Sequence, residues 1–239
     1  MFTITSVNNV QFSNGTFYST TPTVQSEPLI ILSAGFNNRF INSYFRGSAT
    51  VDSGYAAPNG GATAILVQSS AQLVNITGNS FYLFTYLPIY VVESYNVKVD
   101  GNIFRSTAYG PRFREVTVGS MNDNIFDTSV LYSTSPTDNQ FVVVFGLDST
   151  EADPDYPSVT GFSTNISISN NLIKNAGYGQ GVLIHAGQHI VVANNVCENV
   201  AQCIGITPYN TTDSIDYLSV TSNTMNGAVG VSQSGVSSP

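Results

Sequence analysis

A short motif recurs along this 239-residue chain, and its spacing restricts the folds that are open to it. Each copy reads V-x-V-x-x-N-x-Φ, where Φ is a bulky apolar residue, as in the segment from Val97 to Phe104. The asparagine column, with Gly and Ser in the first two copies, falls at positions 15, 43, 79, 102, 124, 171, 195 and 223. The shortest intervals are 22 to 24 residues, and the longer ones indicate the same unit with inserted loops. Such self-similarity is typical of a solenoid.

The residues around each column position explain how such a unit folds. Val or Ile residues placed two apart, such as Val97 and Val99, point to the same side of a strand and face a common core. The column residue then turns the chain, because Asn tolerates the left-handed conformation and Gly15 tolerates it better. In stacked units the amides are expected to form a hydrogen-bonded ladder. The bulky residue two positions later predicts an aromatic column of Phe45, Phe81, Phe104 and Phe126.

A second apolar strand lies in most units. These segments are Ala64 to Val67, Ile89 to Val92, Arg112 to Glu115, Phe141 to Val144, Gly181 to Ile184 and Cys203 to Ile206. Two or three short strands in each turn indicate an all-β chain that forms a right-handed parallel β-helix of about eight coils, about 40 Å long. We predict one domain over residues 1–228 and a linker or tail over residues 229–239. The competing fold, a β-sandwich or jelly roll, does not predict an asparagine column.

The charge pattern argues against two classes of partner. Only 9% of the residues are charged, the formal net charge is −8, and the seven basic residues form no run. Binding to nucleic acid through phosphate neutralisation is therefore not expected. The longest apolar stretch, residues 81–92, is too short to span a bilayer, so no membrane insertion is expected. The first residues contain neither a basic nor an apolar run, so no signal peptide is predicted.

The chain has two cysteines, Cys197 and Cys203, and their spacing matches no zinc motif. A reduced cysteine behaves as a small apolar residue and is often buried. We therefore predict two small buried side chains in the core, with a disulfide as the alternative.

The repeat from Ile4 to Met225 resembles the coils of the pectate-lyase-like superfamily of parallel β-helices. That superfamily includes pectin-cleaving and alginate-modifying enzymes and the tailspikes of bacteriophages. Two traits of the chain are similar to those of a tailspike or polysaccharide depolymerase. Its surface is expected to be low in charge and rich in Ser, Thr, Asn and Tyr, and no signal peptide is predicted. The resemblance implies a homotrimer, a polysaccharide or cell-surface glycan as ligand, and a location in a virion tail or outside the cell. Because the chain has no Asp-Asp pair and no calcium-binding Asp cluster with an Arg base, the superfamily's catalytic residues cannot be transferred.

Counting back from the asparagine column gives a candidate catalytic pair. Nine residues before Asn102 and Asn124 stand Glu93 and Glu115, which are expected to lie side by side on neighbouring coils. Two carboxylates about 5–6 Å apart suit a retaining glycosidase, and about 6.5–9.5 Å suits an inverting one. Like-charge crowding would also raise one pKa, as an acid catalyst requires. The alternative is that both glutamates are solvated residues at strand ends.

Neighbours of this pair are candidate substrate-binding residues. They are Arg112, Arg114, Tyr90, Tyr109, His185 and Asp155. The basic side chains could bind an anionic sugar or tune the carboxylates, and the tyrosines could stack on sugar rings. Asp148 follows the next apolar strand and could extend the catalytic row. Alternatively, the two arginines neutralise the glutamates across the ladder.

The acidic, Pro-rich segment of residues 148–162 is a further candidate, because long ordered loops on a rigid scaffold often carry binding. Oxygen ligands for Ca²⁺ could come from Asp148, Glu151, Asp153 and Asp155. The spacing does not match an EF-hand, and a plain solvated loop is the alternative. No other cofactor is predicted, and His185 and His189 are expected to be exposed polar residues and not metal ligands.

Three functions follow from these features. The first is a viral tailspike-type domain that binds host surface polysaccharide and also cleaves it if the glutamates are catalytic. The second is a free-standing polysaccharide lyase or glycoside hydrolase of the same superfamily. The third is a non-enzymatic structural or adhesive solenoid, which predicts scattered carboxylates and no concave site. The sequence alone leaves open whether the chain is an enzyme.

Overall fold

The fold comes from a computed structural model of the chain. It describes residues 2–18, 28–47, 63–84, 87–107, 109–127, 143–147, 161–176, 180–208, 213–226 and 229–233. All the regular structure in these segments is β-strand, and every strand pairing is parallel. The prediction of an all-β parallel β-helix is therefore confirmed. No helix among the described residues is long and apolar enough to cross a membrane.

Three ladders of strands surround one core. The first ladder contains β1 (Phe2–Thr5), β4 (Ile30–Ser33), β7 (Ile65–Gln68), β10 (Ile89–Asp100), β12 (Arg112–Asn122), β14 (Val143–Leu147), β17 (Gln180–Ile184), β20 (Gln202–Ile206) and β23 (Val229–Gln233). The second ladder contains the C-terminal halves of β10 and β12 together with β2 (Gln11–Ser13), β5 (Arg39–Ile41), β8 (Gln72–Thr77), β15 (Thr164–Ser169), β18 (Gly187–Ala193) and β21 (Ile215–Thr221). The third ladder is an eight-stranded sheet of β3 (Thr16–Tyr18), β6 (Tyr44–Arg46), β9 (Ser80–Tyr82), β11 (Ile103–Arg105), β13 (Ile125–Asp127), β16 (Leu172–Lys174), β19 (Val196–Glu198) and β22 (Thr224–Asn226).

The asparagine column forms the predicted ladder at the corner between the second and third ladders. The backbone N–H of Asn79 donates to Oδ1 of Asn102 at 2.9 Å, and the N–H of Asn102 donates to Oδ1 of Asn124 at 2.9 Å. The same contact repeats through Asn171, Asn195 and Asn223, and in the first rungs through Gly15, Ser43 and Asn79. These buried amides therefore satisfy backbone groups that the corner removes from the strand ladders.

The left-handed turn lies one residue earlier than we predict. Positive φ angles occur at Gly78 (68°), Gly101 (67°) and Asp123 (57°), each immediately before a column residue. The column residue follows the bend, and its side chain points inward, where Oδ1 of Asn102 accepts from the Asn79 N–H and its Nδ2 donates to the Ile76 carbonyl oxygen of the preceding rung. Gly78 shows a further constraint, since a Cβ there would lie 2.5 Å from Oδ1 of Asn42. The prediction that the column residue itself turns the chain is therefore wrong by one position.

The predicted aromatic column is confirmed inside the third ladder. The ring centroids of Phe45 and Phe81 are 5.0 Å apart, and those of Phe81 and Phe104 are also 5.0 Å apart, with nearly parallel planes. Phe17 extends the stack at one end, whereas Phe126 is tilted by 34° at 6.2 Å from Phe104. Burial of each such ring stabilises the fold by about 1.5–3 kcal/mol.

The two cysteines form a disulfide, which corrects the preferred prediction of two reduced side chains. Cys197 in β19 is bonded to Cys203 in β20, with 5.7 Å between the Cα atoms, and both residues are fully buried. The bond closes the corner between the third ladder and the first ladder of the next rung. The sequence separation of six residues matches no zinc motif and leaves a disulfide as the alternative, and the position of this corner explains the pairing.

The first ladder extends into the segment predicted as a tail. Strand β23 begins at Val229 and pairs with β20, with Ile204 opposite Val231. The ladder therefore reaches Gln233, beyond residue 228. The division into a domain over residues 1–228 and a tail over residues 229–239 stays a prediction.

Candidate functional site

Glu93 and Glu115 occupy the same register position on neighbouring rungs of the first ladder. Their neighbours are paired, with Val92 opposite Arg114 and Ser94 opposite Val116. Both glutamates have left-handed backbone conformations, with φ of 47° and 51°, because the first ladder bends here into the second. The structure therefore brings the two residues together at an edge of the solenoid, as the repeat predicts, and a catalytic role for them stays a prediction.

The two carboxylates have different surroundings. Glu93 is exposed, whereas Glu115 is half-buried and its Oε2 accepts a hydrogen bond from the backbone N–H of Gly161 at 3.2 Å. A Cβ at Gly161 would lie only 2.6 Å from the Glu115 carboxyl carbon, so a larger residue there would displace the Glu115 side chain. The contact gives Glu115 a structural role, because its carboxylate binds the backbone at residue 161 beside the bend.

The predicted substrate-binding residues of the first ladder are mostly buried. Arg112 and Arg114 are 8% and 4% exposed, and the Arg112 guanidinium lies 5.7 Å from the centre of the Tyr109 ring. Tyr90, which is paired with Arg112, is 4% exposed. It belongs to an outward-facing apolar cluster of Leu66, Leu87, Tyr90 and Val92, with Ile31 and Tyr109 packed against it. This face is packed in the structure and leaves little of either guanidinium for a ligand.

His185 directly follows β17, whose last residue, Ile184, is paired with Leu147 of β14. Because Leu147 is also paired with Phe113, Ile184 and Phe113 lie two rungs apart, or about 9.6 Å. His185 Nδ1 lies 2.6 Å from the Thr207 carbonyl oxygen. No group of His, Cys, Asp and Glu that could hold a metal ion is found among the described residues. Asp148, Asp155 and the predicted calcium loop lie outside the described residues.

A second candidate site lies on the outer face of the third ladder, where the sequence reasoning placed none. Four paired positions on consecutive rungs form what we call the Tyr/Arg row, which consists of Tyr18, Arg46, Tyr82 and Arg105. Tyr18 is 58% exposed, both arginines are exposed, and Tyr82 is half-exposed. Each residue of the row stands three positions after a residue of the asparagine column. The outward positions of the repeat therefore mark the row in the sequence.

The row continues toward the C-terminus with charges of alternating sign. Asp127, Lys174 and Glu198 occupy the same position on the next three rungs. Asp127 Oδ1 also accepts a hydrogen bond from Asn175 Nδ2 at 2.9 Å. Opposite charges on adjacent rungs stabilise a ladder, so this half of the row supports the sheet. The Tyr/Arg row instead combines aromatic and cationic side chains.

A depression of about 390 Å³ lies beside the Tyr/Arg row. It is lined by Tyr44, Ser80, Phe81, Tyr82, Ile103 and Arg105. Ser80 is the small residue in a row between Tyr44 and Ile103, and its size leaves the space. The Arg46 guanidinium lies 5.9 Å from the Tyr82 ring centre. Burial raises the pKa of the Tyr44 hydroxyl above its ordinary value, while the charge of Arg46 lowers it.

The chain is similar in fold to a known adhesin. It superimposes on the crystal structure of PfbA, a surface adhesin of Streptococcus pneumoniae, with a TM-score of 0.67 and 18% sequence identity. The match covers 98% of this chain and 58% of the PfbA chain, so this chain spans less than two thirds of that structure. At this identity the likeness shows the fold alone. No family model and no curated protein matches the sequence.

Proposed function

We propose that this chain is an adhesive β-solenoid module of an extracellular or surface protein, and that it binds surface glycans without cleaving them. The observation that carries the proposal is the exposed Tyr/Arg row on the third ladder. Aromatic faces stack on the apolar faces of pyranose rings, and guanidinium groups donate several hydrogen bonds in fixed geometry. Rigid strands hold these groups at intervals of about 4.8 Å, close to the length of one sugar unit.

Two further observations support this proposal. The structural neighbour PfbA is a surface adhesin, so the fold is compatible with adhesion. The buried disulfide between Cys197 and Cys203 fits an oxidising environment such as the outside of a cell.

Glycan binding tests the proposal directly. Wild type and a Tyr18→Ser, Tyr82→Ser double variant are applied to an array of bacterial and host surface glycans. The expected result is that wild type binds a subset of these glycans and that the double variant loses about fivefold or more in affinity, because stacking contacts typically contribute about 0.5–1.5 kcal/mol each beyond burial. Tyr217→Ser is the matched control, since Tyr217 is 77% exposed on the second ladder. Equal loss in the control, or unchanged binding in the double variant, would refute the proposal.

Glycan cleavage by a tailspike-type depolymerase is the second candidate function. It is favoured by the shared register of Glu93 and Glu115, and a homotrimer would accompany it. Its test is the release of new reducing or unsaturated ends from each bound polysaccharide. Turnover in wild type that disappears in Glu93→Gln and Glu115→Gln would establish this function and overturn the non-enzymatic one.

A further inference from the structure

We infer that the depression beside the Tyr/Arg row is a subsite for an anionic sugar, carboxylated or sulfated, within a glycan that runs along the solenoid axis. This inference rests on the proposed function and adds to it the location of the primary subsite and the charge of its ligand. The positive charge of the row, the volume of the depression and the alignment of the row with the solenoid axis all fit such a ligand.

The Tyr/Arg row places positive charge on the surface of an acidic protein. The chain carries a formal net charge of −8, yet the Tyr/Arg row contains two guanidinium groups. Among the described residues, neither the row nor the lining of the depression contains a carboxylate. Asp127 is the register partner that follows Arg105, and its Oδ1 also accepts a hydrogen bond from Asn175 Nδ2 at 2.9 Å. Arg46, by contrast, has a tyrosine on each side in register, Tyr18 and Tyr82. A local positive site on an acidic protein favours an anionic ligand, and guanidinium groups bind carboxylates and sulfates through paired hydrogen bonds.

The depression has the size and lining of a small-ligand site. The depression has a volume of about 390 Å³, within the range of about 300–1,000 Å³ for small-ligand sites. Ser80 is the smallest of its lining side chains, and the tyrosines at positions 44 and 82 also line it. A sugar ring placed there contacts aromatic side chains while its anionic group reaches the Arg105 guanidinium at the edge.

The Tyr/Arg row runs along the solenoid axis. The side chains of the Tyr/Arg row follow the stacking of the rungs, so from Tyr18 to Arg105 they span three rung intervals, or about 14 Å. Aromatic and cationic side chains alternate along this line. A glycan lying along the axis therefore meets a ring and a guanidinium in turn, whereas one lying across the strands meets only a single rung of three residues.

The experiment uses the whole chain and polymers that share one backbone but differ in charge. Carboxyl-reduced chondroitin is neutral, chondroitin carries only carboxylates, and carboxyl-reduced chondroitin 4-sulfate carries only sulfates. Alginate and carboxyl-reduced alginate provide a second matched pair. Dissociation constants are measured by calorimetry at low and at physiological ionic strength. The expected result is that at least one anionic polymer binds ten or more times more tightly than its neutral counterpart, and that this preference shrinks as salt is added.

Variants assign the preference to the depression. Arg105→Gln is expected to reduce anionic binding about tenfold, a typical effect of losing a charge-assisted hydrogen bond, and to leave neutral binding unchanged. Ser80→Tyr fills the depression without changing charge and is expected to weaken binding of both kinds. Lys98→Gln is the control, because Lys98 is an exposed cation on the second ladder. Circular dichroism and melting curves confirm that each variant is folded.

The outcomes separate the inference from the proposal on which it rests. Equal binding of anionic and neutral polymers that still depends on Tyr82 would overturn the anionic subsite and leave glycan adhesion intact. An anionic preference that Lys98→Gln reduces as much as Arg105→Gln would overturn the location. If no polymer binds, and the glycan array also shows none, both the inference and the proposed function fail.

Discussion

Many residues of this chain adopt the left-handed backbone conformation at the bends of the solenoid. One such column runs along the second ladder and consists of Asn9, Asn37, Leu73, Asn96, Val118, Asn165, His189 and Tyr217. Asn is well suited to this conformation, whereas a β-branched side chain is strained in it by roughly 1–2 kcal/mol. The column therefore contains both favourable Asn residues and strained residues such as Val118, and substitutions between the two types test the effect of the strain.

Val118→Asn is expected to stabilise the protein by about 1 kcal/mol. Val118 has φ of 62° and is 37% exposed, so the variant relieves strain and gives up little apolar burial. The adjacent rungs carry Asn96 and Asn165 at the same position, which shows that an asparagine fits. The measurement is the free energy of unfolding in urea, and Asn96→Val is the reciprocal control with the opposite sign. A loss of stability in Val118→Asn would contradict this account of the bend.

Asp100→Asn is expected to stabilise the protein more at pH 7 than at pH 3. Burial raises the pKa of the Asp100 carboxyl, although hydrogen bonds from the Asn122 N–H and the Ser120 hydroxyl, each 2.9 Å long, oppose this shift. A raised pKa means that the folded state binds the proton more tightly than the unfolded state. The wild type therefore loses stability as the pH rises through this pKa, from about 4 upward.

The neutral amide that Asp100→Asn introduces lacks that penalty and keeps an oxygen acceptor for the Asn122 N–H. Urea unfolding of both proteins between pH 3 and pH 7 measures the difference. A difference that is constant with pH, or that decreases toward neutrality, would show that ionised Asp100 is not destabilising.

At the scale of elements, the asparagine ladder links each rung to the next. Asn102 Nδ2 donates to the carbonyl oxygen of Ile76 at 2.8 Å, and its Oδ1 accepts from the backbone N–H of Asn79 at 2.9 Å. Asn102→Ala leaves several of these buried groups without partners, and each such group destabilises the protein by about 1–3 kcal/mol. We therefore expect a loss of at least about 3 kcal/mol.

Asn223→Ala is the matched control, because Asn223 is the last residue of the same ladder and is only partly buried. Its loss of stability, measured by the same urea titration, should be clearly smaller. Equal losses at both positions would mean that the ladder is not reinforced by burial.

The disulfide joins two elements across a corner, and its removal has a predictable effect. A short closed loop of this size stabilises a protein by about 2 kcal/mol, chiefly by restricting the unfolded chain. The Cys197→Ala, Cys203→Ala double variant should lose at least this amount, and its melting temperature should not respond to a reductant. The wild type should melt at a lower temperature when reductant is present. Insensitivity of the wild type to reductant under unfolding conditions would show that the bond does not form.

The sequence predicts the inward positions of these elements better than their corners and outward faces. Inward positions are dictated by burial, so the asparagine column, the aromatic column and the strands of the first ladder follow from the repeat alone. Corners depend on backbone geometry, and here the predicted bend lies one residue late and the Cys197–Cys203 bond was not the preferred prediction. Outward positions are not constrained by burial, so the repeat marks the Tyr/Arg row by its position, three residues after the column, but not by a constant residue type.

At the scale of the whole molecule, the solenoid presents long lateral faces with different properties. The face of the first ladder combines stacked Glu93 and Glu115 with arginines that are almost buried, and the register of this pair could be predicted whereas the burial of Arg112 and Arg114 could not. The face of the third ladder exposes the Tyr/Arg row and the depression. Because each rung contacts chiefly its neighbours, such a scaffold holds its surface groups rigidly over many rungs.

Hydrogen–deuterium exchange in the presence of a bound glycan tests the central claim most directly, because it reports which face the ligand covers. We expect slowed exchange in β6, β9 and β11, the strands that carry Arg46, Tyr82 and Arg105, and no change around the bend of β10 and β12. Protection confined to the bend at Glu93 and Glu115, together with release of cleaved glycan, would contradict the adhesive function and favour a depolymerase.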